Sequence, residues 1–288
     1  MRKTVKIANK IIGDGNPCFI TAEIGINHNG SVNQAKALID MAISVGCDAV
    51  KFQKRTVDIV YTAEELAKER QSIFGETNGD LKRGLEFGYN EYKQINEYCK
   101  QKGIIWYASC WDEQSVDFIE QFNPPCYKIA SASLTDDKLL KYTKNKEKPI
   151  FLATGMSTME QIQHAVDILG EDNLIIYHCT STYPTINEEI NLNVITTLRE
   201  KFNCPIGFSG HEKGILLSIM SVMLGANAVE RHITTDRTLW GSDQAASLER
   251  DGIHRVVRDI RQINTILGDG VKKVYDSEKP IIKKLRRV

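Results

Sequence analysis

Eight short apolar runs, "CFITAEIG", "DAVKFQ", "IIWYASC", "CYKIAS", "PIFLATG", "NLIIYHCT", "PIGFSG" and "AVERHIT", recur along the chain, and this recurrence constrains the fold more than any other feature. They are rich in β-branched and aromatic residues, and between them lie stretches of helical length and period such as "SVNQAKALIDMAISVG", "TMEQIQHAVDILG" and "GILLSIMSVMLGA". A last amphipathic stretch, "LERDGIHRVVRDIRQINTILG", closes the set. Strands that are apolar almost throughout are parallel strands covered on both faces. Eight of them alternating with helices over 288 residues predict a (β/α)8 TIM barrel. A doubly wound sheet would more often carry GxGxxG after its first strand, and none is present.

The barrel is expected to occupy the whole chain as a single domain. Residues 1–16, with "VKIANKIIG", form a short hairpin before it, and residues 271–288 form a basic tail after it. Residues 54–89 are too long for an ordinary strand-to-helix connection, which leaves either an active-site loop or lid, or a surface insertion.

Lysines plus arginines equal aspartates plus glutamates, so no whole-molecule field recruits nucleic acid or a membrane surface. No apolar run approaches the ~20 residues that cross a bilayer. Small-molecule partners are expected. The seven cysteines include Cys18, Cys110, Cys126 and Cys179 in apolar runs and form no CxxC pair, the pattern of buried thiols in a reducing cytoplasm.

Barrels build their sites at the C-terminal ends of the strands, where this chain is rich in polar side chains. Glu23, Asn27 and His28 follow the first run; Lys51 and Gln53 end the second, Ser109 the third, and Lys128 and Ser131 the fourth. Tyr183 follows the sixth, Ser209 and His211 end the seventh, and Glu230, Arg231 and His232 end the eighth, with Asp243 beyond. A lysine in a buried strand needs a counter-charge. Lys51 and Lys128, with Arg231 and the serine hydroxyls, could hold a phosphate and a carboxylate; alternatively Glu23 or Glu230 pairs with Lys51 internally. His211 and His232 end adjacent strands, where two neutral imidazoles can share a divalent cation and leave positions open for substrate. Two imidazoles with oxygen donors suit an exchangeable Mn2+ or Mg2+ better than a structural zinc.

Read as motifs, "AEIGINHNG", "AVKFQ", "YKIAS", "TGMST", "HCTSTYPT", "GFSGHEKG" and "ERHIT" with "WGSDQAASLE" resemble the N-acetylneuraminate (sialic acid) synthase family, in order, over residues 22–249. The resemblance implies a transferase that condenses phosphoenolpyruvate with a sugar aldehyde, N-acetylmannosamine or a related aldose, to a 3-deoxy-2-keto sugar acid and phosphate. By that resemblance Lys51, Ser109, Lys128, Ser131 and Ser209 look like phosphoenolpyruvate ligands, a set to which Arg231 is added from its charge. His211 and His232 look like ligands of a divalent metal, Mn2+ first, with Mg2+ or Co2+ as alternatives. Glu23, Gln53, Tyr183 and Asp243 look like residues of the sugar and catalytic region, with Asn27 and His28 as further sugar contacts.

The chain departs from the family pattern at Ser133, where a glutamate is usual, at Ala153, where a serine often stands, and at Ser181 and Gly210. Synthases of this kind usually continue into a small antifreeze-like domain that supplies an arginine to the N-acyl group. None is expected here, so either the sugar lacks that group or another residue or polypeptide reads it. A homodimer is a further expectation. Three other readings stay open: a Schiff-base aldolase using Lys51 or Lys128, a synthase of a shorter 3-deoxy-ulosonic acid, and a non-catalytic barrel that binds sugar or phosphate.

Overall fold

The computed structural model describes residues 2–287. The eight runs form the strands of one closed parallel barrel: β1 (Phe19–Gly25), β2 (Ala49–Lys54), β3 (Ile105–Cys110), β4 (Tyr127–Ile129), β5 (Ile150–Ala153), β6 (Leu174–His178), β7 (Ile206–Gly210) and β8 (Ala228–His232). Each strand pairs with its neighbours in sequence, and β8 closes on β1 in the register Ala228↔Phe19 to His232↔Glu23. Outside run α1 (Val32–Ser44), α2 (Tyr89–Lys102), α3 (Glu113–Glu120), α4 (Asp137–Lys144), α5 (Met159–Leu169), α6 (Val194–Lys201), α7 (Leu216–Met223) and α8 (Arg250–Leu267). Their starts are written locally: the side chains of Ser31, Asp112, Asp136 and Thr158 each accept a backbone N–H in the first turn of the helix that follows.

Period-two alternation divides every strand between two cores. In β2, Val50 and Phe52 join the large cluster between barrel and helices, while Ala49 faces the interior. The interior is filled at its N-terminal end by Phe19, Tyr107, Phe151 and Tyr177, whose rings stack on Phe151 at 5.2–6.0 Å. The expected hairpin, Val5–Ile7 with Lys10–Ile12, plugs that end with Val5, Ile7 and Ile12. With one mouth of the barrel sealed by apolar side chains, polar inward residues are confined to the other.

Residues 54–89 form short helices at Val57–Val60, Ala63–Ala67 and Asn78–Leu85 around a hairpin, Glu69–Ser72 with Gly75–Thr77. Thr77 and Asp80 cap the last of these helices reciprocally. Phe74, at the hairpin tip, packs against Gly84 and Gly30 and meets Trp240 at 6.4 Å between ring centroids. The segment is thus an ordered insertion beside the open mouth; Glu86 at its far end binds Lys54 and Arg55 at its start.

The seven cysteines are free thiols, all buried except the half-buried Cys47, as their placement in apolar runs predicts. Among the described residues no helix is long and apolar enough to cross a membrane.

Candidate active site

At the C-terminal mouth lies a cavity of about 180 Å3 to which all eight strands or their following loops contribute. It is lined by Glu23, Lys51, Gln53, Ser109, Lys128, Ser131, Tyr183, Ser209, His211, Glu230 and His232, so most of the residues singled out in the sequence converge there.

The floor is a charge network. Glu230 accepts from Lys128 Nζ at 3.0 and 3.1 Å and from Ser209 Oγ at 3.1 Å, and Lys51 Nζ lies 3.1 Å away. Lys51 also donates to Ser109 Oγ at 3.1 Å and stands 3.5 Å from Glu23 Oε2. All four charged groups are almost fully buried. Internal pairing and pocket placement, opposed alternatives in the sequence, therefore coexist. Burial acts to raise the Glu230 carboxyl, but Lys128 and Lys51 overcome it and hold that group well below the usual carboxylate range. Glu23 goes the other way: burial pushes its carboxyl up to about 7, with Lys51 opposing and the charge of Glu230 assisting. Its Oε1 accepts from Gln53 Nε2 at 2.8 Å, while Oε2 has no hydrogen-bond donor. Two neighbouring carboxyls driven apart in this way are suited to different tasks, one a permanent anion and one a proton carrier.

On one wall the Gly155 N–H points at Ser131 Oγ (3.0 Å) and Cys179 Sγ (3.2 Å). A Cβ at Gly155 would sit 2.1 Å from Ser181 Oγ and 2.9 Å from Ser131 Oγ, so glycine permits a close ring of hydroxyls around a backbone donor. Cys179, Trp111 and Met156 line the cavity as well and were not singled out in the sequence; they are apolar or weakly polar types that carry no chemical signature in a linear reading.

His211 and His232 meet at the opposite wall with ring centroids 5.6 Å apart. His211 Nδ1 donates to the Thr180 carbonyl at 2.6 Å, which fixes the neutral tautomer and leaves the Nε2 lone pair toward Tyr183 Oη, 3.0 Å away. Burial and then the neighbouring His232 push His211 down to about 3, and burial lowers His232 too. His232 Nδ1 is buried without a hydrogen-bond partner, 3.7 Å from Asp243 Oδ2. A neutral imidazole pair with an orphaned ring nitrogen fits a divalent cation. Among the described residues no set of three His, Cys, Asp or Glu side chains assembles as a metal cage, so the pair suits an ion that takes its remaining oxygens from substrate and water.

Four expected site residues are not in the pocket. Arg231 alternates with Glu230 and His232 and so points away from the barrel interior, where Nη1 donates to Glu212 Oε1 at 2.6 Å and to Ser218 Oγ at 2.8 Å; it ties β8 to α7. Asn27 donates to the Ile233 carbonyl at 2.9 Å and to Ser247 Oγ at 2.8 Å, joining the first and last strand–helix loops. His28 stacks on Phe87 at 4.0 Å, and its Nδ1 accepts the Gly30 N–H. Asp243 stands behind His232 and does not line the cavity. Nor does any residue of the 54–89 insertion, which sets aside a lid that contacts the pocket in this state.

Fold and site together define a (β/α)8 barrel with a small polar pocket at its C-terminal mouth, ringed by two lysines, serine hydroxyls, a carboxyl raised by burial and a pair of histidines lowered by burial. The sequence profile of the NeuB family matches residues 38–272, and the chain belongs to that family. Human N-acetylneuraminate-9-phosphate synthase is 37% identical over 279 residues, which span 95% of this chain and 78% of the human protein. N,N'-diacetyllegionaminic acid synthase of Legionella pneumophila is 34% identical over 285 residues, covering 96% and 80%. The crystal structure of N-acetylneuraminic acid (sialic acid) synthetase from Leptospira borgpetersenii serovar Hardjo-bovis, in complex with citrate, superposes with a TM-score of 0.86 at 30% identity over 100% of this chain and 99% of that one.

Proposed function

We propose that the chain condenses phosphoenolpyruvate with a sugar aldehyde, N-acetylmannosamine or a related aldose, to give a nine-carbon 3-deoxy-2-keto acid and phosphate. The observation that carries this reading is the floor of the pocket, where Lys51 and Lys128 converge with Ser109, Ser131 and Ser209 beside a carboxyl whose proton affinity lies near neutrality. A small phosphorylated acid needs cations and hydroxyls together, and Ser131 and Ser181, which close over Gly155 at the cavity wall, offer a phosphate further hydroxyl donors. The synthase names borne by the similar human and Legionella proteins support the same reaction class.

In this reaction C3 of the enol attacks the aldehyde carbon. The carbonyl oxygen takes a proton, water adds to the cationic C2 and loses one proton, and the C2–O bond to phosphate then breaks as the remaining hydroxyl proton passes to the departing phosphate, leaving the 2-keto group. One proton is consumed and one released, so a single carboxyl can supply the first and collect the second. Glu23 is assigned this role because its proton is exchangeable near neutral pH, whereas Glu230 stays an anion that holds both lysines. His211 and His232 would hold a Mn2+ or similar ion, which would supply Lewis-acid polarisation of the aldehyde. Tyr183 lines that wall and is assigned to the sugar. Both lysines are engaged with Glu230, which disfavours Schiff-base chemistry, although burial lowers Lys128 and makes it the more amine-like of the two.

Phosphate release from phosphoenolpyruvate with Mn2+, scored across mannosamine derivatives, neutral aldoses and aldose phosphates, tests the proposal. Release with an N-acylmannosamine or its phosphate supports it; release with a shorter aldose alone points to a shorter ulosonate; tight binding of phosphoenolpyruvate with no release under any condition leaves a non-catalytic barrel. Glu23→Gln is expected to lower kcat by about 10²–10⁴-fold, the ordinary yield of acid–base catalysis. Because the proton must be present before condensation, kcat/KM should fall as pH rises through about 7, and that limb should vanish in Glu23→Gln. Gly155→Ala, whose methyl would intrude on the hydroxyl ring, is expected to raise the KM for phosphoenolpyruvate at least about tenfold, equivalent to about 1.4 kcal/mol. An unchanged KM would remove Gly155 from the phosphate cradle.

A further inference from the structure

Arg55 stands just beyond β2, where the insertion begins, and is 7% exposed. Its Nη2 donates to Gln53 Oε1, and its Nη1 donates to Tyr61 Oη at 3.0 Å. Nε lies 3.4 Å from Glu86 Oε1, while the backbone N–H of Arg55 donates to Glu86 Oε2 at 3.1 Å. The guanidinium also lies 4.9 Å from the centroid of the Trp111 ring. A planar guanidinium has donors in fixed directions and no acceptor, so this set of contacts holds it in one orientation.

That orientation decides which end of the Gln53 carboxamide faces the pocket. Arg55 can only donate, so it requires Oε1, and Nε2 is left to donate to Glu23 Oε1 at 2.8 Å. Without Arg55 the amide is free to turn its oxygen toward Glu23 whenever that carboxyl carries its proton, the one state in which Glu23 can donate. Tyr61 and Glu86 belong to the insertion, and Gln53 and Trp111 line the cavity. A segment that contributes no lining residue is thus connected to two that do.

We propose that Arg55 is a positioning residue: it fixes the Gln53 carboxamide with its N–H toward Glu23 and braces Trp111, so that the folded insertion holds this side of the pocket in its working geometry. Its effect on rate rests on the condensation reading, whereas its effect on Gln53 does not.

The test compares Arg55→Met, Arg55→Lys, Gln53→Met and the Arg55→Met/Gln53→Met double variant, following kcat, the KM for phosphoenolpyruvate and the 15N–1H signals of the Gln53 side-chain amide. Those signals are assigned by their loss in Gln53→Met. Arg55→Met is expected to shift and broaden them and to lower kcat by about tenfold or more, with KM within about twofold, as for a loss of orientation rather than of binding. The double variant should be no slower than the slower single one, because both changes break the same chain of contacts. Arg55→Lys keeps the charge beside Glu86 and is the variant that reports if Arg55→Met does not fold; lacking the planar fork, it should also perturb the Gln53 amide. Unchanged amide signals in Arg55→Met or Arg55→Lys, or kcat losses that multiply in the double variant, would overturn the proposal. If no aldose supports phosphate release by the wild-type protein, the condensation reading fails and the amide signals alone decide the role of Arg55.

Discussion

Glu230→Leu is expected to destabilise the folded protein by about 3–5 kcal/mol, the cost of leaving buried cations without their partner. Among the described residues Lys128 has its ammonium 3.0 Å from Glu230 and no second carboxylate, and Lys51 would be left with Glu23 at 3.5 Å alone. Urea unfolding followed by circular dichroism would read the loss as a lower midpoint. Adding Lys128→Met should recover most of it, because replacing both members of a buried pair by apolar groups is often nearly neutral. That double variant should still fail to bind phosphoenolpyruvate. Recovery of stability without recovery of binding would separate the two things the network does. If the midpoint of Glu230→Leu matches wild type, the network is not what keeps the lysines buried.

His211→Ala is expected to lower metal-dependent condensation by about 10³-fold or more, the scale on which loss of an electrostatic stabiliser of developing charge is felt. The fold should tolerate the change. The side chain lines an open pocket, and its bonds to the Thr180 carbonyl and to Tyr183 Oη are neutral contacts worth about 1 kcal/mol each. Mn2+ binding read by electron paramagnetic resonance should weaken in parallel with activity, and His232→Ala should behave likewise. Full activity of His211→Ala in chelator-treated buffer would sink the metal role of the pair.

Much of this site was legible along the chain because barrel topology sends the end of every strand to one mouth. Once eight parallel strands are recognised, Lys51, Ser109, Lys128, Ser209, His211 and His232 must end near one another, whatever the details of packing. The strand period also carried information that the reading of Arg231 overlooked. Glu230, Arg231 and His232 are consecutive, so they cannot share a face; with Ala228 and Glu230 inward, Arg231 is outward by alternation, and Glu212 receives it. Asn27 and His28 lie past the end of β1, where no period applies. His28 is claimed by Phe87, far along the chain, and Asn27 by Ile233 and Ser247 across the barrel seam. Such partners come together only when the loops are placed. The 54–89 segment, open between lid and insertion in the sequence, is an ordered insertion, and the contacts of Arg55 with Gln53 and Trp111 connect it to the pocket.

The sequence by itself determined the barrel, the hairpin before it, and most of the side chains that meet at its mouth, because strand periodicity and the order of strands fix those without reference to distant contacts. Tertiary structure decided what each charge does. Glu23 and Glu230 are the same residue type with the same intrinsic proton affinity. One is held an anion by two ammonium groups, and the other is raised toward neutrality by burial with weaker compensation. That difference arises from separations of a few ångströms between side chains on four different strands, which no linear pattern encodes.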